Sequence, residues 1–208
     1  MSTAAVNTEN TSKVDVHLGH VLLNLANRYP DLRRVILEGV QNALDSNATF
    51  IHVVLNYKER LVTIRDNGDG TTQEEFERAL TTICVTKKDA IDSLGRFGIG
   101  LICPLDKCDE FHFTSTPKIN PNLYKCWIFN GKEMAEKDVE RIPFRNVPEY
   151  IYGTNTTAPR GKKYVAWRTE VKMINLIRDS AITNVKLASL KEGIIGNFGE
   201  KMKKLKTV

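Results

Sequence analysis

The amino-acid sequence predicts a chain of mixed helices and strands, and three observations carry that expectation. LRRVILEGVQNALDS (residues 32–46) sets Leu32, Val35, Ile36, Val40, Ala43 and Leu44 on one stripe of period 3.6, as a helix buried on one side requires. FIHVVLNY and LVTIR (50–57 and 61–65) are two short runs rich in β-branched residues on either side of Lys58-Glu59-Arg60, and they read as paired strands. VAWRTEV (165–171) alternates apolar and polar residues with period 2, the pattern of a half-buried strand.

The other elements follow in chain order. Residues 1–13 are small, polar and aperiodic, and predict a disordered tail. VHLGHVLLNLAN (16–27) has Leu18, Val21, Leu22 and Leu25 at helical spacing, which predicts a helix or docking arm. His17 and His20 lie three apart on it, a metal-compatible spacing with no evident third ligand, so packed or solvated histidines are the preferred reading. Asp31, just after Pro30, is placed to cap the helix that starts at Leu32. Thr72-Gln73-Glu74-Glu75 is a capping box and opens a helix that runs to about Ile83. CVTKKDAIDSLGRFGIGL (84–101) is a polar connector bearing lysines and ending in glycines. After it, LICPL (101–105) is a short apolar segment where a helix could begin. FHFTS, YKCWIFN and KYVAWRTEVKMI (111–115, 124–130 and 163–174) predict further strands. Residues 131–160 are mixed, with a short helix expected at KEMAEKDVER (132–141) and a loop at YGTNTTAPRG (152–161). The tail after Thr183 reads as helical but interrupted at Gly193 and Gly196, with a basic end, KMKKLK.

Bulk properties bound the function without naming it. A length of 208 residues and 41% hydrophobic content fit one domain with an ordinary core, with room for an extra arm. Thirty basic against twenty-five acidic residues give a net charge of +5. A balance that mild fits a phosphate or nucleic-acid ligand, but it fits a solvated surface better. The N-terminus lacks the apolar core of a signal peptide, and no run is long enough to span a bilayer. Cys84, Cys103, Cys108 and Cys126 form no CxxC pair, which argues against a zinc site and for reduced thiols. The expected compartment is the cytoplasm, or the nucleus if the source is eukaryotic.

Three stretches carry candidate chemistry. Glu38, Asn42 and Asp45 fall along one flank of the apolar stripe, with Asn42 one turn beyond Glu38. Polar groups at the border of a buried face need partners, so the trio is either a solvated helix edge or a site. DNGDG (66–70) ends a strand. Asn-Gly and Asp-Gly are common turn dipeptides, and on spacing alone a plain turn is preferred. Strand alternation nevertheless puts Asp66 on the side of Val62 and Ile64, where an inward carboxylate without a partner is costly. A ligand with an N–H donor would supply that partner. Finally, Gly95, Gly98 and Gly100 make a GxxGxG pattern, weak alone, which would let backbone approach phosphates.

Taken together and in order, EGVQNALD on a helix, DNGDG after a strand and GRFGIGL after a loop resemble the motifs of the GHKL ATPases. That superfamily holds DNA gyrase B subunits, heat-shock chaperones, sensor histidine kinases and MutL proteins. The resemblance covers residues 31 to 116, with weaker agreement to about 173. It implies a Bergerat fold: a two-layer α/β (α+β) sandwich, with helices on one face of a mixed, mostly antiparallel sheet. The implied boundaries are an ATP-binding domain over residues 14–175, including a helical arm, and a helical basic extension over 176–208.

The resemblance also implies roles. Asp66 would accept a hydrogen bond from the exocyclic amine of adenine, with Gly68 and Gly70 in the loop that lets backbone approach the base. Asn42 would bind Mg²⁺ bridging the phosphates, and Asp45 would support the site from the same helix. Gly95, Arg96, Phe97, Gly98, Ile99 and Gly100 would form the lid hinge and phosphate cradle, with Lys87 or Lys88 reaching a phosphate. Glu38, four residues before the metal-binding Asn, would orient or activate the attacking water, as in the hydrolytic branch. Sensor kinases usually carry Asn there. The last family motif falls at Gly153-Thr154 or Gly161-Lys162, with Gly161 preferred because it directly precedes KYVAWRTEV.

The implied function is an ATP-binding, Mg²⁺-dependent ATPase whose lid drives a conformational or dimerisation switch. Its partners would be a second copy bound through the arm at residues 14–27, or a protein client. DNA remains without a supporting motif. The alternatives are a protein kinase of the sensor or anti-sigma type, and a nucleotide-binding scaffold without turnover.

Overall fold

The computed structural model describes residues 17–81, 100–119, 124–136, 142–147, 167–179 and 185–205. The elements are α1 (Leu18–Ala26), α2 (Leu32–Asp45), β1 (Ile51–Asn56), β2 (Leu61–Asp66), α3 (Gln73–Thr81), a 3₁₀ turn (Cys103–Asp106), β3 (Cys108–Ser115), β4 (Tyr124–Asn130), α4 (Gly131–Glu136), β5 (Phe144–Val147), β6 (Thr169–Leu176) and α5 (Leu187–Leu205). The six strands form one sheet in the order β1-β2-β6-β3-β4-β5. All five pairings are antiparallel, so the mixed sheet anticipated from the sequence is wholly antiparallel among the described strands.

Local chemistry accounts for the helix starts. The Asp31 carboxylate accepts from the Arg34 N–H at 2.8 Å, so the expected cap opens α2. At α3 the capping box is reciprocal: Thr72 Oγ1 accepts from the Glu75 N–H at 3.1 Å, and Glu75 Oε2 accepts from the Thr72 N–H at 2.9 Å.

The register lays inward side chains in rows across the sheet. One row is Leu55, Val62, Met173, Phe111 and Phe129; the next is Val53, Ile64, Val171, Phe113, Trp127 and Phe144. The helices cover this face. The Phe76 ring of α3 lies 4.0 Å from Trp127 and 5.1 Å from Phe113, centroid to centroid. The buried α2 residues Val35, Ile36, Val40 and Leu44 join the same core. Gly39 lets α2 settle on β2, since a Cβ there would sit 2.6 Å from Ile64 Cδ1. The opposite face is partly ionic: Glu170 Oε2 accepts from Arg65 Nε at 2.5 Å, and Lys172 Nζ lies 3.0 Å from its other oxygen.

Four features differ from the sequence reading. The segment 101–105 forms only a 3₁₀ turn, with Pro104 in its first positions. The last described strand begins at Thr169: Trp167 and Arg168, expected within it, precede it, and the buried Trp167 ring packs on Phe50 and His52. β5 was not anticipated; it is a four-residue edge strand with three exposed residues, so it leaves no alternation to read. The tail helix α5 runs unbroken through Gly193 and Gly196. Packing outweighs propensity there, because Gly193 lies against Leu37 of α2, and Leu190 and Phe198 are buried in the main core.

Truncating Phe76 to Ala removes a ring fully enclosed between α3 and the sheet. The variant should lose about 3–5 kcal/mol of stability, read as a lower urea midpoint at unchanged m.

Candidate active site

The two apolar rows end in a polar one. The next inward row reads Ile51, Asp66, Thr169, Ser115, Lys125 and Asn146. Asp66 is thus the last inward residue of β2 after Val62 and Ile64, and only 6% of it is exposed. Burial pushes its carboxyl up to about 6 from an ordinary 3.8, against the opposing pull of a Gly68 N–H that donates to Oδ1 at 2.9 Å. Opposite it on β6 stands Thr169, whose hydroxyl lies 3.1 Å from that of Ser115. Ser115 Oγ also accepts from the Thr71 N–H at 3.1 Å.

DNGDG is a strand-to-helix connection, not a hairpin turn, and its side chains lock it down. Asn67 Oδ1 accepts from the Thr49 and Phe50 N–H groups at 3.0 and 2.8 Å. The Asp69 N–H donates to the Ser46 carbonyl at 2.7 Å, and Asn47 Nδ2 donates to Asp69 Oδ2 at 2.6 Å. The loop therefore hangs on the C-terminal end of α2. Gly68 fits because a Cβ there would lie 2.5 Å from the Ser46 carbonyl oxygen. Gly70 has φ +70°, and a Cβ would fall 1.9 Å from the Thr116 carbonyl oxygen. Both glycines are thus fixed by the backbone they touch, independently of any ligand.

Between α2 and the sheet lies a cavity of about 700 Å³. Asp66, Gly70, Thr71 and Thr169 line one end of it. Glu38, Asn42 and Asp45 line the α2 side, and Gly100, Cys103 and Tyr29 complete it. Gly100 touches both helix residues: a Cβ there would sit 3.1 Å from Glu38 Oε2 and 3.4 Å from Asn42 Nδ2. Burial raises the Glu38 carboxyl above its ordinary value; the nearby Arg34 charge lowers it, and that of Asp45 raises it. Burial likewise raises the Tyr29 phenol and the fully buried Cys103 thiol, with Glu38 adding to both, so each stays protonated. Asp45, at the end of α2, accepts from Lys201 Nζ at 2.6 Å.

The structure thus gathers Glu38, Asn42, Asp45, Asp66, Gly70 and Gly100 around one cavity, with Gly68 bracing the loop behind it. Lys87, Lys88, Gly95, Arg96, Phe97, Gly98, Ile99, Gly153 and Gly161 lie outside the described residues. Thr169, Thr71 and Tyr29 escaped the sequence reading. Thr169 carried the one usable signal, an inward position in the alternating run VAWRTEV.

An oxygen-ligated cation fits the donors present. Asn42 offers an amide oxygen beside the Glu38 carboxylate, a hard donor set suited to Mg²⁺, which takes few protein ligands when it travels with phosphates. Among the described residues no cluster of three or more His, Cys, Asp or Glu side chains could hold a metal by itself. The His17 and His20 rings, 5.9 Å apart, belong to no such cluster. Cys103, Cys108 and Cys126 are free and buried. Among the described residues no helix is long and apolar enough to cross a membrane.

Comparison with known proteins supplies the family. Residues 30–154 match the family model of the histidine kinase-, DNA gyrase B- and HSP90-like ATPases. A search of curated proteins found no match. The matched span covers more than half of the chain and takes in α2, the DNGDG loop and Gly100, so the chain belongs to the histidine kinase-, DNA gyrase B- and HSP90-like ATPase family.

Proposed function

We propose that this chain binds ATP with Mg²⁺ in the cavity between α2 and the sheet and hydrolyses it. The observation that carries the reading is Asp66: a buried carboxylate at the end of an apolar strand face, opposite Thr169, in the same cavity as Glu38 and Asn42. The ionised carboxylate accepts an N–H from the adenine amine, and the adjacent hydroxyls of Thr169, Thr71 and Ser115 form the polar surround. The hydrocarbons of Ile64, Val171 and Met173 give the base an apolar wall. At the other end the Asn42 amide oxygen would hold the cation. When bound, Mg²⁺ would supply positive charge that offsets the negative charge of the phosphates as the terminal phosphoanhydride bond breaks.

Glu38 holds and orients a water and takes its proton as the water oxygen bonds to the terminal phosphorus and the bond to the ADP oxygen breaks, releasing ADP and phosphate. Its raised proton affinity brings it nearer neutrality, where a general base works best. In this reading Asp45 supports the site from the same face of α2, with its charge paired to Lys201. The lid assigned by resemblance to Lys87 and to Gly95 through Gly100 completes the site around the nucleotide. Its closure drives a conformational switch, or dimerisation through the arm at residues 14–27.

ATP binding and phosphate release, measured in parallel with Mg²⁺, test these roles. Glu38→Ala should bind ATP within about twofold of wild type but release phosphate about 10²–10⁴-fold more slowly. Equal turnover would remove Glu38 from the chemistry. A wild type that binds without releasing phosphate would leave a nucleotide-binding module in place of an ATPase.

Asp66→Asn should separate stability from function. The new amide can keep the Gly68 bond through its oxygen, but it then turns an N–H₂ toward the adenine amine, donor against donor. ATP affinity should fall about 10–100-fold. The fold should gain up to about 3 kcal/mol at pH 7, because no charge is held in the buried position. The sign follows from the raised carboxyl: between about 4 and 6 the folded wild type holds a proton that the unfolded chain releases. Wild-type stability relative to Asp66→Asn should therefore rise as pH falls from 7 to 4, in paired urea melts. Wild-type ATP affinity should drop below about pH 6.

A further inference from the structure

Helix α5 lies alongside α2 in a constant register. Arg33 Nη1 donates to Ser189 Oγ at 3.3 Å, and Lys201 Nζ donates to Asp45 Oδ1 at 2.6 Å; each pair is 156 residues apart in the chain. Leu37 and Gly193, at the same separation, pack so closely that a Cβ on Gly193 would lie 3.3 Å from Leu37 Cδ1. Contacts at 33, 37 and 45 on α2 meet 189, 193 and 201 on α5, so the helices run parallel along one ridge of fourfold spacing. The start of α5 is fixed independently, where the Tyr57 hydroxyl accepts from the Val185 N–H and donates to its carbonyl. Together these contacts place Lys201 at the C-terminal end of α2.

That end carries an electrostatic difficulty. Asp45 sits where the helix dipole is already negative, and it lines the cavity beside Asn42. A polyphosphate held at Asn42, three residues before Asp45 on the same helix, meets a carboxylate of its own sign. Among the described residues, the charges facing this side of the cavity include Glu38 and Arg34 on α2, Lys201 on α5, and Asp66 across the cavity. Of these, Lys201 forms a direct ion pair with Asp45.

We propose that Lys201 is a positioning residue for the anionic part of the nucleotide: it neutralises Asp45 and so lets a polyphosphate lie along the α2 side of the cavity beside Asn42. The inference rests on the nucleotide reading of this cavity. It makes α5 a required part of the binding site, although Lys201 is 163 residues from Glu38 in the chain.

Affinities for ATP and for uncharged adenosine, both with Mg²⁺, test it in wild type, Lys201→Met, Lys201→Arg, Asp45→Asn and the double variant Lys201→Met/Asp45→Asn. Thermal melts establish that each is folded. Lys201→Met should weaken ATP about five- to tenfold and leave adenosine unchanged, and the loss should shrink as salt rises. Lys201→Arg should bind ATP like wild type. The double variant should regain most of the lost ATP affinity, because the charge that Lys201 offsets is gone; a purely structural role would not be rescued this way. Unchanged ATP affinity in Lys201→Met, an equal loss for adenosine, or no rescue in the double variant overturns the inference while leaving the nucleotide site standing. A wild type that binds neither ligand overturns the nucleotide reading itself, and this inference with it.

Discussion

The Asp66 carboxylate ends a strand whose other inward residues, Val62 and Ile64, are hydrocarbons, and the surrounding structure is organised around keeping it there. Holding a charge in that place costs free energy, which its raised proton affinity records. The backbone supplies one compensating donor, the Gly68 N–H. Everything that fixes this donor follows: glycine at 68 against Ser46, the Asp69 bond to the α2 terminus, and the Asn67 bonds that pin the loop to the start of β1. A fold selected for stability alone would end β2 with another hydrocarbon or a neutral amide. A buried acceptor beside an open cavity instead makes sense when a ligand brings the missing donor.

Helix α2 connects this acceptor to the other end of the cavity. One side of it is packed in the core, and Gly39 lets it approach the sheet. Its flank presents Glu38 and Asn42 one turn apart, and its C-terminus holds the DNGDG loop. Rigid helix and pinned loop thus fix the spacing between the amine acceptor and the cation-binding amide, which is what an extended ligand with a base at one end and phosphates at the other requires. Because α5 follows α2 ridge to ridge, a displacement of the C-terminal helix would be felt along α2 from Arg33 to Asp45.

Much of this was legible because it is local and periodic. The α2 stripe, the Asp31 cap, the Thr72–Glu75 box and the inward parity of Asp66 each depend on residues a few positions apart. What escaped depends on tertiary pairing. Thr169 matters because β6 places it opposite Asp66, a register that no single strand contains. Gly193 looked like a break because propensity counts it so, whereas it lies against Leu37 in a helix that Leu190 and Phe198 anchor in the core. β5 is short and exposed, so hydrophobic alternation had nothing to report. The Lys201–Asp45 pair joins a basic tail, which reads locally as solvated, to the most informative helix in the chain.

The central claim is that Asp66 reads the amine of adenine, and competition among base analogues tests it most directly. With Mg²⁺ present, affinities would be compared for ATP, for an ATP whose amine carries two methyl groups and no N–H, and for GTP, which presents a carbonyl oxygen at that position. The account predicts that both analogues bind about tenfold or more weakly than ATP, since a buried carboxylate then faces a methyl group or another acceptor. Equal affinity for all three would contradict it, and would mean that the cavity holds its ligand without using Asp66.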